Sequence, residues 1–323
     1  RRGAPRSGLA AQGNPAMRPA VRAVAAVASA AFASAVWVSL PSVAQQRTMD
    51  AELTVTAVRG GIHYLVMPSA GNVAVSVGPD GAYVIDDQFA PMVPRIQAAV
   101  AKLTDQPIRY VFNTHWHGDH AGGNARFGQA GVTLVAHDNA RARMASEQVS
   151  SFFRTKVPPS PPEALPDITF GRTLSFHVNG DTVRIEHIPN AHTDGDAVYY
   201  FERADVLHTG DVFVRYGYPF IDLDSGGSVA GMIAGLDRIA AIAGPDTVII
   251  PGHGPLATRA DVLTFRGRLA EARDRVRKLI AAGRTLEEVI AAKPLADYDV
   301  DWGKSFIKND QFVTTLYRSE GGA

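Results

Sequence analysis

Three observations predict an α/β fold for this 323-residue chain. Short apolar runs of strand type alternate along the sequence with segments of helical period. Hydrophobic residues make up 46% of the chain, enough to bury one large core or two modest ones. Several of the apolar runs stop abruptly at turns that carry Gly, Pro, His and Asp, which is how strands end where an open α/β sheet places its binding site.

The N-terminal stretch reads as an export signal. Met17 begins it, Arg18 and Arg22 give a positive start, and Ala23 to Leu40 is apolar and alanine-rich. Pro41-Ser42-Val43-Ala44 supplies small residues for a cut after Ala44, so residues 1–44 are expected to be removed, and residues 1–16 to lie upstream of the true start. A retained membrane anchor is the rival, and the serines within the stretch count against it. Lys+Arg and Asp+Glu are balanced at 32 each, and loss of 1–44 would leave the mature chain acidic. No basic face is implied, which argues against a nucleic-acid partner. The chain has no cysteine, so disulfides, thiolate ligands and a Cys nucleophile are excluded, and a periplasmic location is expected.

Residues 45–50 are polar and read as a linker. Residues 53–58, 62–67 and 72–77 read as strands, and after the turn Gly78-Pro79-Asp80-Gly81 a fourth runs over 82–86, giving an antiparallel meander. Pro94 to Leu103 is helical, with Ile96, Ala99, Val100 and Leu103 on one face. A strand over 108–114 follows, then a helix from Gly123, a strand over 132–136 and a helix over 138–149. Val157 to Pro162 is expected as an exposed extended loop because of its prolines. Strands are predicted at 168–170, 172–178 and 182–188, the last two joined by an Asn179-Gly180-Asp181 hairpin turn, and at 197–201 and 206–208. A helix capped near Ser225–Ser228, a strand at 247–250 and helices near 258–282 and 285–292 complete the chain, with Thr285 and Glu288 as a capping box.

The densest chemical signal is His115-Trp116-His117-Gly118-Asp119-His120, four metal-capable side chains in six residues. Imidazole with carboxylate suits zinc and similar borderline ions, with manganese or iron also admitted. Three more metal-capable residues sit just after apolar runs: His192, Asp211 in Thr209-Gly210-Asp211, and His253 in Pro251-Gly252-His253-Gly254. Glycine or proline lies near each, as where backbone bends tightly around a site.

On these residues the chain resembles the metallo-β-lactamase fold superfamily over roughly residues 50–260, with Asp86, the H-x-H-x-D-H cluster, His192, Asp211 and His253 in order. It looks most like exported hydrolase-type members, which carry phrases such as Pro219-Phe220-Ile221-Asp222. The resemblance implies a four-layer αββα sandwich over residues 45–260, with residues 261–323 a helical extension packed on the same domain. It also implies two zinc ions: His115, His117 and His192 on the first, Asp119, His120 and His253 on the second, and Asp211 shared. A hydroxide between the ions would attack the substrate and Asp119 would orient it. Asp86 would bond a ligand histidine or a loop amide. Trp116, Arg215, Tyr216 and Tyr218 are expected near a small-molecule substrate.

The implied function is hydrolysis of an ester, thioester, lactone or amide bond, a β-lactam included. Asp211 draws the site toward thioesterase-, lactonase- and phosphodiesterase-like members. His117 counts against the flavodiiron branch, which has Glu there. Two alternatives stand beside the hydrolase: a mono-iron oxidoreductase of the persulfide dioxygenase type, and a metal-binding protein without turnover.

Overall fold

Sheet topology in a computed structural model of the chain, described for residues 52–67 and 70–321, follows directly from the alternation of the strands. The expected signal and linker fall outside these residues. One seven-stranded sheet has the order β1-β2-β3-β4-β5-β6-β9, formed by Thr54–Arg59, Ile62–Val66, Val73–Gly78, Gly81–Ile85, Ile108–Phe112, Thr133–His137 and Ile168–Phe170. Its first four strands are the antiparallel meander, and β4, β5, β6 and β9 run parallel. A five-stranded sheet has the order β10-β11-β12-β13-β14, formed by Thr173–Val178, Asp181–Ile188, Asp196–Phe201, Val206–His208 and Val248–Ile250.

Side chains alternate across each strand, so each sheet feeds two cores. Tyr83 and Ile85 of β4 join Ala197, Tyr199 and Phe201 of β12 in the core between the sheets. Ala82 and Val84 point the other way, onto Ile96 and Val100 of α1 (Val93–Leu103) and Phe127 of α3 (Asn124–Gln129). On the far side, Val198, Leu207 and Ile249 meet α5 (Val229–Ile242) and α6 (Arg259–Ala281). Helix, sheet, sheet and helix therefore stack as the four-layer αββα sandwich. Further C-terminal residues in that last core come from α7 (Leu286–Ala291) and α8 (Asn309–Ser319). Ser228 caps α5, and Thr258 with Asp261 and Thr285 with Glu288 form capping boxes on α6 and α7.

Two expectations are corrected, and two helices were not expected. The helix expected over 138–149 is α4, Asp138–Met144, and the chain then folds into a separate hairpin, β7 (Gln148–Ser150) with β8 (Thr155–Val157). The proline stretch is extended from Pro158 to Pro161 but closes in a 3-10 turn at Pro162–Ala164. A one-turn helix, α2 (Gly118–Ala121), forms inside the His/Asp cluster. The C-terminal α8 lacks a Ser, Thr, Asp or Asn cap and is closed by Lys308 with Gln311. Among the described residues no helix is long and apolar enough to cross a membrane.

Candidate metal centre

Five loops leave the same edge of the two sheets, and each delivers metal-capable side chains. Asp86 follows β4, residues 115–120 follow β5, and His192, Asp211 and His253 follow β11, β13 and β14. The backbone bends sharply where they emerge: φ is +62° at Asp86 and +50° at Gly210. A side chain on Gly252 would collide with the Asp211 carboxylate, so glycine is required for this close approach.

The seven ligand candidates converge in three overlapping groups: His115/His117/His192, His115/His120/Asp211 and Asp119/His120/His253, with ligand atoms in each group within 4.8 Å of one another. Asp211 sits between the outer two. Its Oδ1 is 3.2 Å from His120 Nε2, and its Oδ2 is 3.4 Å from His253 Nε2 and 3.8 Å from His192 Nε2. Asp119 Oδ2 lies 3.2 Å from His253 Nε2.

What lies behind the histidines fixes what they present in front. His117 Nε2 donates to Asp222 Oδ2 at 2.9 Å, His192 Nδ1 to the Phe220 carbonyl at 2.8 Å, and His120 Nδ1 to Asp86 Oδ2 at 2.7 Å. The Thr114 hydroxyl donates to Asp86 Oδ2 and so accepts from His115 Nδ1 at 3.0 Å. A ring so held, when neutral, spends its one N–H outward and turns a lone pair inward. His117 Nδ1 and His192 Nε2 then face each other at 2.8 Å, lone pair to lone pair. His115 Nε2 and Asp211 Oδ1 are buried with no hydrogen-bond partner. Acceptors buried this close together are stable only beside positive charge, supplied by metal ions or, in their absence, by the protons that His120 and His253 take up, so the donor set fits metal ions.

Electrostatics divide the cluster. Burial, reinforced by the neighbouring imidazoles, holds His115 well below the usual histidine range, and burial lowers His192 to about 4. Burial also opposes a charge on His120 and His253, but the surrounding carboxylates outweigh it. Without metal, His120 is raised well above its ordinary value and His253 to about 9, chiefly by Asp211.

Asp86 is fully buried and bonds both kinds of partner expected of it, His120 and the Thr114 amide, the latter at 2.7 Å. Trp116 and Tyr216 line a cleft of about 1070 Å³ that opens on the cluster, and the Tyr216 ring is 5.4 Å from that of His253. Arg215 and Tyr218 do not line it. The Arg215 guanidinium turns to the Leu256 carbonyl and Asp261, while its backbone N–H holds the His253 carbonyl at 2.9 Å. Tyr218 is buried in the helical core, with its hydroxyl 2.9 Å from Asp299, because Gly217 at φ +134° turns the chain between the two tyrosines.

Sequence reasoning assigned no role to Thr114, Asp222 or Asp196. Asp196 accepts from the His192 and Thr193 amides at 2.7 and 2.9 Å and fixes the His192 loop. Asp222 stands 105 residues from His117, and no local pattern marks such a pair.

A family model described as the metallo-beta-lactamase superfamily matches residues 67–254. Among curated relatives, the chain is 30% identical to the lactamase-like protein aptB of Emericella nidulans, over 46% of this chain and 41% of that protein. It is 26% identical to hydroxyacylglutathione hydrolase of Pelagibacter ubique, over 48% of this chain and 52% of that protein. The chain thus spans about half the length of these curated relatives. Among solved structures, a metallo-beta-lactamase from Pontibacter korlensis superposes with a TM-score of 0.55 at 19% identity, covering 68% of this chain and 99% of that one.

Proposed function

This chain belongs to the metallo-beta-lactamase superfamily, and from that membership we propose that it is a periplasmic hydrolase with two divalent ions, zinc by preference, acting on an ester, thioester, lactone or amide bond. The observation that carries this reading is the convergence of five imidazoles and two carboxylates on one cluster, with His115 Nε2 buried and without a hydrogen-bond partner. The donor set is imidazole and carboxylate alone, which suits zinc. Name-level support comes from a curated relative called a hydrolase. The periplasmic element rests on the export signal read in residues 17–44.

His115, His117 and His192 would hold one ion, Asp119, His120 and His253 the other, and Asp211 both. Bound there, the ions supply Lewis acidity toward the carbonyl and lower the pKa of water. The chain's own groups do the rest. Asp119 lies at the floor of the cleft, partly exposed, where its free oxygen accepts the proton of the attacking water and returns it to the leaving group as the carbonyl–heteroatom bond breaks. Asp86, Asp222 and the Phe220 carbonyl hold the imidazoles in the tautomers that face inward.

Asp119→Ala tests this assignment. Hydrolysis is expected to be abolished, while metal at the three-histidine group persists in elemental analysis. An unchanged rate would remove Asp119 from the mechanism.

The pH dependence of metal uptake offers a second test. His192, lowered to about 4, is already neutral at neutral pH and binds metal without releasing a proton. His253, at about 9, must lose one. His120, also raised well above its ordinary value, must lose one too, so affinity of the second group is expected to rise more than tenfold per pH unit at neutral pH. Calorimetric titration at pH 7 in two buffers of different protonation enthalpy reads the released protons. Equal heats in both buffers would contradict the assignment.

A further inference from the structure

The cleft in front of the metal-capable cluster is completed by a segment well beyond the residues that match the family, Gly303 to Phe306. This segment is held at both ends. Trp302 and Ile307 are buried, and the Trp302 carbonyl accepts from the Tyr218 amide at 3.2 Å. Lys308 Nζ donates to the Ser305 carbonyl at 2.7 Å. Between these anchors the chain projects Lys304 and Phe306 to the cleft.

Across from it stands the tip of the β7–β8 hairpin, tied down by the Ser151 amide on Asp224 at 2.6 Å. Phe153 on that tip and Phe306 face each other with centroids 6.4 Å apart and planes 19° from parallel. Both remain half exposed, at 50% and 54%, which is unusual for two phenylalanines that have a core nearby to enter. Behind them, Phe220 is 5.2 Å from Phe153 and Tyr216 is 5.5 Å from Phe306, so the aromatic wall runs continuously down to the ring of His253.

Two N–H-bearing side chains of the same cleft, Lys304 and Trp116, lack acceptors. Arg143 is consumed by a two-pronged pair with Asp194, at 2.7 Å on each prong. Lys304 is exposed and has no hydrogen bond or ion pair among the described residues. Trp116 Nε1 is buried without a partner. Of the carboxylates that line the cleft, Asp119 and Asp211 belong to the metal-capable cluster and Asp222 is paired with His117.

We propose that residues 303–306 are a specificity element, and that the cleft takes a substrate with a bulky aryl or long alkyl group and a single anionic group. Phe306 and Phe153 grip the apolar part, and Lys304 receives the anion. This deepens the hydrolase reading and rests on it for the reaction, but not for binding. The volume of about 1070 Å³ holds a molecule of several rings or a long chain, and the predominantly apolar wall stabilises one by burial.

Two fluorescent probes of similar size separate the terms without turnover: 8-anilinonaphthalene-1-sulfonate, an anion, and N-phenyl-1-naphthylamine, its neutral counterpart. The metal-loaded protein is expected to bind both saturably at one site, the anion more tightly. Lys304→Met is expected to weaken the anionic probe about fivefold and leave the neutral one unchanged. Phe306→Ala is expected to weaken both about three- to tenfold, with Phe306→Leu recovering part of the loss. Both positions are exposed, so the variants are expected to keep the wild-type melting temperature. Absence of saturable binding in the wild type, or affinities unmoved in both variants, would overturn the proposal. A parallel panel of p-nitrophenyl esters from acetate to dodecanoate reads the hydrolase separately. Probe binding without any ester hydrolysis would sink the reaction and leave the specificity element standing, whereas hydrolysis without probe binding would do the reverse.

Discussion

Replacing Asp211 by alanine is expected to lower the hydrolytic rate on the order of 10³-fold, because a ligand shared by both ions supports both halves of a two-metal mechanism. Its two oxygens approach different imidazoles, Oδ1 that of His120 and Oδ2 those of His253 and His192, whereas Asp119 approaches only His120 and His253. Loss of the side chain also removes a negative charge that would offset two cations in a buried site. Metal content should fall from two ions per chain to one or fewer. Glutamate is not expected to rescue the site: the carboxylate is wedged against the backbone at Gly252, which leaves no room for a further methylene. Elemental analysis and steady-state rates on the same sample check both outcomes. Wild-type metal content with an undiminished rate would refute the shared-ligand assignment.

Asp86→Ala is expected to act through stability as well as affinity. The carboxylate is fully buried and accepts from the Thr114 amide, the Thr114 hydroxyl and His120 Nδ1 at 2.7, 2.8 and 2.7 Å. Removing it strands these donors and leaves a buried imidazole without its counter-charge, at a cost of about 3–5 kcal/mol. Alanine at φ +62° adds about 1 kcal/mol, since a left-handed backbone disfavours a Cβ that has no local hydrogen bond to offer. A fall in melting temperature of roughly 10 °C follows. Metal affinity should drop roughly 10- to 100-fold, because His120 loses the partner that fixes its tautomer. Asp86→Asn separates the two effects. Asparagine tolerates the backbone and can still accept from Thr114, so stability is expected to recover more than metal affinity does. Equal recovery of both would show that Asp86 acts only as a structural plug.

The parts of this account that were legible in sequence share a physical origin. The strands on either side of Gly78–Gly81 were readable because strands buried on both faces read as short apolar runs, and the turn because positive φ at Gly81 selects glycine. The cluster from His115 to His120 was readable because metal-capable side chains rarely crowd a short loop for packing reasons. The remainder depended on tertiary contacts. Gln148–Val157 carries too few alternating residues to announce a hairpin, and its anchor, Asp224, lies 73 residues away from Ser151. Tyr216 and Tyr218 look equivalent in sequence, yet the turn at Gly217 sends one to the cleft and the other to the core. Asp222 and Thr114 look like ordinary loop residues until the rings they orient are placed beside them. The chemistry of the front of the site was thus local in sequence, whereas the supports behind it were set by the fold.

The most direct test of the central claim, that this buried ring of acceptors exists to hold cations, is the metal-to-protein ratio of the full chain purified without chelator, read by inductively coupled plasma mass spectrometry. Two divalent ions per chain, zinc foremost, lost together with hydrolysis on chelation and restored together with it by added zinc, is the predicted result. A protein that carries only trace metal, takes up none on addition, and hydrolyses its substrates at full rate would contradict it.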